Sequence, residues 1–195
     1  MKKAFLFSAI LLMAFASNSA APTDRLGVAG PLTFGGTTYS LAWATKPSAT
    51  YYVQEYLPKG EKSADFKQML ALHLISEGTD VQRVAGLKVK ELEARKQSDV
   101  ICNYQVMTSP DNKEIILDFL LSQNMEGSQG IAEFNVYRYK QVALGAGKTG
   151  TLLYAYSKRA YGSGIDNFLK TLKPARTEAI AAMAAAKMPA VKITN

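Results

Sequence analysis

Cysteine, histidine and long apolar runs are what this sequence has least of. Its 195 residues include one Cys and one His. A single cysteine cannot close a disulfide within the chain, so packing alone must hold the core. One Cys and one His cannot supply the three or four ligands of a zinc-type site. No D-x-D-x-D-G loop offers oxygens to calcium. No metal and no cofactor are therefore expected. Only Ala4–Ala16 (AFLFSAILLMAFA) is continuously apolar, and its length of about 13 residues falls short of the roughly 20 that a bilayer-crossing helix needs.

That run does have an address. Lys2 and Lys3 precede it, and Ser17-Asn18-Ser19-Ala20-Ala21 supplies small residues before Pro22. Positive start, apolar middle and small-residue end make a secretory signal peptide, assigned here to residues 1–20. The protein is accordingly expected to be exported, periplasmic or secreted, from a bacterial cell, with no transmembrane segment in the mature chain. Cys102 lies far from the cleavage region, which argues against a lipoprotein. A loose leader is expected over residues 21–30, a single domain over 31–188 and a polar tail over 189–195.

Removing two leader lysines from the 23 basic residues leaves 21 against 16 acidic ones, a charge of +5. The basic residues are scattered, and Lys88, Lys90, Arg95 and Lys96 alternate with Glu91 and Glu93. This pattern marks a solvated helix face and not a nucleic-acid stripe.

Alternation and turn residues place most strands. Leu32–Phe34, Gly35-Gly36 and Thr37–Ala44 read as a hairpin, with Tyr39, Leu41 and Trp43 on one face. Lys46-Pro47-Ser48 is expected to break the chain before a strand at Thr50–Leu57. A helical turn near Ser63–Lys67 leads to a strand at Met69–Ile75. Val81, Val84, Ala85, Val89 and Leu92 give a helix starting at Thr79-Asp80 and running to about Gln97. Val100–Thr108 and Glu114–Ser122 form a hairpin about Ser109-Pro110-Asp111-Asn112, with Cys102 a small buried hydrophobe in the first strand. Strands at Ile131–Gln141 and Thr151–Lys158 follow. Two C-terminal helical segments are read from Ile165, Phe168, Leu169 and Leu172, then from Ala175–Lys187 after Pro174. The expected fold class is α+β: a largely antiparallel sheet with a long central helix and C-terminal helices packed on it.

The motifs that suggest chemistry fail on spacing. Gly145–Gly150 (GAGKTG) resembles a phosphate loop, but Val142 stands where the Walker pattern needs glycine, and the segment joins two strands. Gly162-Ser163-Gly164 lacks the flanking glycines of a nucleophile elbow and reads as a loop and helix cap. His73 sits in an apolar run and is read as structural. Asp118 and Glu133 lie inside strands, where acids are disfavoured. If the strands carrying them are neighbours, Asn103, Gln105, Asp118, Glu133 and Asn135 line one polar sheet face. Tyr137, Arg138 and Tyr139 add an adhesive surface of the kind enriched at interfaces. Asn103, Asp118, Glu133, Asn135, Tyr137, Arg138 and Tyr139 are therefore the candidate partner-binding residues, and no catalytic residue is assigned.

The segments Tyr51–Glu61 (YYVQEYLPKGE), Phe66–Leu70 and Ala132–Tyr139 (AEFNVYRY) resemble parts of exported bacterial proteins of the Mog1/PsbP-like group, which includes DcrB-type periplasmic proteins. The resemblance implies an antiparallel sheet covered by helices and an accessory, partner-binding role, in some members like that of immunity proteins. The leading expectation is a non-enzymatic exported protein that binds another protein or an envelope component. Two alternatives stay open: a carboxylate-dependent hydrolase using Asp118 and Glu133 on an envelope substrate, and a small carrier of lipid or another hydrophobic ligand.

Overall fold

The computed structural model describes residues 22–77, 80–125 and 129–194. The signal peptide and Thr79 lie outside the described residues. Eight strands form one antiparallel sheet in the order β1-β2-β3-β4-β8-β7-β6-β5. The strands are β1 Leu32–Phe34, β2 Thr37–Ser48, β3 Tyr51–Pro58, β4 Gln68–Ile75, β5 Asn103–Thr108, β6 Glu114–Gln123, β7 Ile131–Gly145 and β8 Lys148–Tyr161. Among the described residues two α-helices, α1 Val81–Arg95 and α2 Ile165–Ala185, and a 3-10 turn at Gly162–Gly164 complete the fold. No helix among the described residues is long and apolar enough to cross a membrane.

The expected α+β class, with a long central helix, is overturned. The molecule is mostly a curled antiparallel sheet, and α1 is a 15-residue helix lying against β6 and β7. The strands run further than their alternating cores suggest. β7 continues to Gly145 and β8 starts at Lys148, because Ala146 (φ 49°) and Gly147 (φ 73°) turn the chain in two residues. Positive φ at both turn positions matches the twist of the strands it joins, so the glycine-rich segment is a tight hairpin. Lys46-Pro47 does not end β2 either; the strand passes through with register shifts at Leu41/Trp43 and Thr45/Ser48. The first shift places Leu41 opposite Tyr56 but Trp43 opposite Glu55, so Trp43 does not share the face of Tyr39 and Leu41. Curling brings Phe34 of β1 to ring-centroid distances of 4.8 Å from Tyr156 and 6.3 Å from Tyr154 of β8, across three intervening strands.

The sheet has an α2 face and an α1 face. Toward α2 point Leu70, Leu72, Leu74, Phe134, Val136, Tyr154 and Tyr156, packed with Ile165, Phe168 and Met183 of the helix. Toward α1 point Leu117, Phe119 and Tyr139, packed with Val81, Ala85 and Leu92. Asp80 caps α1, its carboxylate accepting from Arg83 N at 2.6 Å, which satisfies an otherwise unpaired amide.

The two expected C-terminal segments merge into one helix with Pro174 inside it. Pro174 is exposed, so the hydrogen bond it cannot donate is lost on the solvent side, where water replaces it. The far end of α2 is fastened by Arg138 of β7, whose Nη1 donates to the carbonyls of Met183, Ala184 and Ala186 at 3.0, 3.1 and 2.8 Å. A helix leaves its last carbonyls without partners, and here a sheet arginine supplies them.

The leader is not loose. Gln54 Oε1 accepts from Arg25 N and Leu26 N at 2.6 and 3.0 Å, and Tyr56 donates its hydroxyl hydrogen to Val28 O at 2.6 Å. The tail lies against it, with Lys192 N donating to Leu26 O at 2.8 Å and Thr194 N to Arg25 O at 3.0 Å. Val100 and Cys102 precede β5 instead of forming its start; Val100 is 94 % exposed, and the buried Cys102 thiol faces Leu92 O at 3.6 Å. Asp99 ties this connection down by accepting from Ser122 N (2.7 Å), Ser122 Oγ (2.6 Å) and Arg95 Nε (3.0 Å).

Candidate functional site

β5, β6 and β7 are adjacent and antiparallel, as a shared polar face requires. Their register nevertheless divides the candidate residues between two faces. Asn103 pairs with Leu120, Asp118 with Val136, and Glu133 with Leu121. Successive strand residues point to opposite sides, so Asn103, Asp118 and Arg138 lie on the α2 face. Glu133, Asn135, Tyr137 and Tyr139 lie on the α1 face. Asp118 and Glu133 are separated by the sheet itself, and a hydrolytic pair cannot be built from them.

On the α2 face an open groove of about 420 Å³ runs between the β5–β6 margin and α2, lined by Asn103, Gln105, Asp118, Phe134, Leu172 and Arg176 among others. Its wall is set by one arginine. Arg176 donates from Nε to Asp118 Oδ2 at 2.7 Å and from Nη2 to Asp118 Oδ1 at 2.8 Å and Gln105 Oε1 at 2.6 Å. A two-pronged guanidinium–carboxylate contact of this kind fixes geometry as well as charge. Asp118 has 4 % side-chain exposure and Arg176 has 36 %, so the acid is sealed while the cation reaches the groove. Asn103 and Gln105 are exposed, and Tyr104 lies beneath the Lys96 ammonium, 4.3 Å from the ring centre. This arrangement offers hydrogen-bonding groups beside the half-buried Leu172, over a floor closed by the buried Phe134, and its one carboxylate is held by a guanidinium. It suits recognition better than proton transfer.

Arg138, on the same face, is committed elsewhere, to Glu114 at 2.6 Å and to the end of α2. On the α1 face the remaining candidates form a chain of contacts. Arg159 pairs with Glu133, Asn135 Nδ2 donates to Glu133 Oε1 at 2.9 Å, and Ser157 Oγ donates to Asn135 Oδ1 at 2.6 Å. Asn135 is fully buried. Tyr137 stands edge-on to Phe119, with ring centres 4.8 Å apart, and burial raises its hydroxyl pKa well above the ordinary tyrosine value. Tyr139 is 2 % exposed and is shifted the same way by burial. These are core-fastening groups with little surface to offer a partner.

Two titratable groups on this face are strongly shifted by burial. Burial pushes the Glu55 carboxyl up to about 7 against the opposing pull of Arg159. Burial, with help from Lys88, lowers His73 to about 4. The Tyr51 hydroxyl lies 2.7 Å from His73 Nδ1, so the only histidine is neutral and held. Glu55 had a faint signal, an acid within a β-rich run. Arg176 had none, because nothing in an alanine-rich helix points to an aspartate 58 residues earlier.

Among the described residues no three or more His, Cys, Asp or Glu side chains come together as a metal site. No curated protein matches the chain. A family model does match, over residues 26–188, which takes in the whole sheet and both helices. The chain belongs to that family, which is uncharacterised.

Proposed function

We propose that this is an exported, non-enzymatic protein that binds a partner, another protein or an envelope component, in the groove between β5, β6 and α2. The observation that carries the reading is the Asp118–Arg176–Gln105 contact, which holds polar groups rigid at the wall of an open groove. Groups held in place before binding lose less entropy on association. The leader Lys2–Ala21 supports export. The resemblance to Mog1/PsbP-like, DcrB-type proteins supports an accessory role.

The hydrolase alternative is not adopted, since its two carboxylates face opposite sides of the sheet. The carrier alternative is not adopted either, since Phe134, Tyr154, Tyr156, Phe168 and Met183 fill the space between sheet and α2. The test is capture from envelope extract with the tagged protein and its Asn103→Arg variant. Asn103 is exposed, so the variant should fold. A specific partner held by the parent and lost by the variant is expected. Failure of the parent to retain any specific partner, or equal retention by the variant, contradicts the proposal.

A further inference from the structure

We propose that β5 pairs antiparallel with the β5 of a second copy of this chain, joining two sheets edge to edge and setting their grooves side by side as one composite site. The dimer stands on the sheet edge alone; only the composite site rests on the groove reading above.

Among the described residues β5 pairs with β6 and with no other strand, and it ends the sheet. An edge strand presents a row of unpaired backbone donors and acceptors, which soluble proteins usually guard with charge, proline, bulges or shortness. The opposite edge is guarded in all these ways. β1 has three residues, and the part of β2 beyond it carries Lys46, Pro47 and two register shifts. β5 has no charge, proline or bulge, although its Tyr104 N–H is met from within the strand by Asn103 Oδ1 at 2.9 Å. Its sequence NYQVMT contains no charge, proline or glycine, and it pairs residue for residue with β6. Val106 on β5 is 41 % exposed, and Val100, just before it, is 94 % exposed.

The same features select a second copy as the occupant. An uncharged strand can face itself without setting like charges opposite each other, which would be destabilising. Antiparallel pairing centred on Val106, with Val106 opposite its own copy and Tyr104 opposite Thr108, brings the Glu93–Lys96 end of one copy toward the Asp111–Lys113 end of the other. Both ends carry one charge of each sign, each pair already in contact within its own copy. A two-fold axis perpendicular to the sheet makes the contact self-complementary. It also keeps both α2 faces on one side. Each groove is open at its β5 margin, so the partner's Asn103 and Gln105 extend its wall.

Sedimentation equilibrium of the purified protein tests this. A reversible dimer is expected, and Val106→Lys should weaken it at least about ten-fold by opposing two lysines at the pairing centre. Leu87→Lys, at a residue of similar exposure (46 %) on α1, should leave it unchanged. Circular dichroism establishes that both variants are folded. A monomer at every concentration up to about 1 mM overturns the proposal; so does a dimer indifferent to Val106→Lys, or one weakened equally by Leu87→Lys. Should the protein stay monomeric while Val106→Lys abolishes capture of another protein, the edge serves a foreign strand and the self-pairing is wrong. Should the dimer form while no partner is captured, the groove reading fails and the dimer stands.

Discussion

The two faces of the sheet use their polar residues in opposite ways. On the α2 face, polar side chains reach across to a helix. Arg138 holds the end of α2, and Asp118 receives Arg176 from its middle. On the α1 face, polar side chains reach along the sheet and pair with one another: Asn135 and Ser157 are buried, Glu133 and Arg159 half-buried. A polar strand residue is thus not a surface by default. Here most of them are fasteners, and the groups left open to a partner gather at the β5 margin.

Substitutions on the two faces should therefore act differently. The largest effect belongs to the apolar part of the α2 face. Phe134 is 1 % exposed at the centre of the core, and Phe134→Ala should cost about 3–5 kcal/mol in urea unfolding. A loss below about 1 kcal/mol would show that α2 closes over the gap.

Next comes the titration of the α1 face. Folded Glu55 keeps its proton up to about pH 7, whereas the unfolded carboxyl loses it near 4.5. Its contribution to stability therefore falls as pH rises through that window. Folded His73 stays neutral down to about pH 4, whereas the unfolded imidazole protonates near 6.5, so its contribution rises with pH from 4 to 6.5. The two slopes oppose each other over most of the range. Glu55→Gln should unmask the histidine, giving urea midpoints whose stability climbs by about 3 kcal/mol between pH 4 and 6.5. An unchanged profile would mean that the two groups are not buried as described.

Arg138→Ala should cost about 2–3 kcal/mol, because it strands the α2 carbonyls and leaves Glu114 with Lys140 as its remaining ion-pair partner. The loss should appear first as faster amide exchange in the last turn of α2. Asp80→Ala, which removes only the α1 cap, should cost about 1 kcal/mol and leave α2 untouched. If the order of these two losses is reversed, the fastening role given to Arg138 is wrong.

Much of the sheet was legible in the sequence because its turns carry their own chemistry. Gly35 and Gly36 both adopt positive φ, 54° and 76°, and Asn112 at 58° closes the Ser109–Asn112 turn. The Asp80 cap and the spacing of Val81, Ala85 and Leu92 placed α1. Three things were not legible. A bulge at the Leu41/Trp43 step moved Trp43 to the other face, and no local pattern announces a bulge. Pro174 usually marks a helix start, yet a helix docked on both sides of it carries it through. The division of Asp118 from Glu133 follows from the register between β6 and β7. A shift of one residue there would have put both on one face.

We propose that the working surface lies at the β5 margin and not among the fastened groups of either face. Amide hydrogen exchange across Asn103–Thr108, followed from low to high protein concentration, tests it most directly. Slower exchange in β5 at high concentration, with β1 and β2 unchanged, is the predicted result. Exchange in β5 that stays fast at every concentration, and equally fast after incubation with envelope extract, would contradict it.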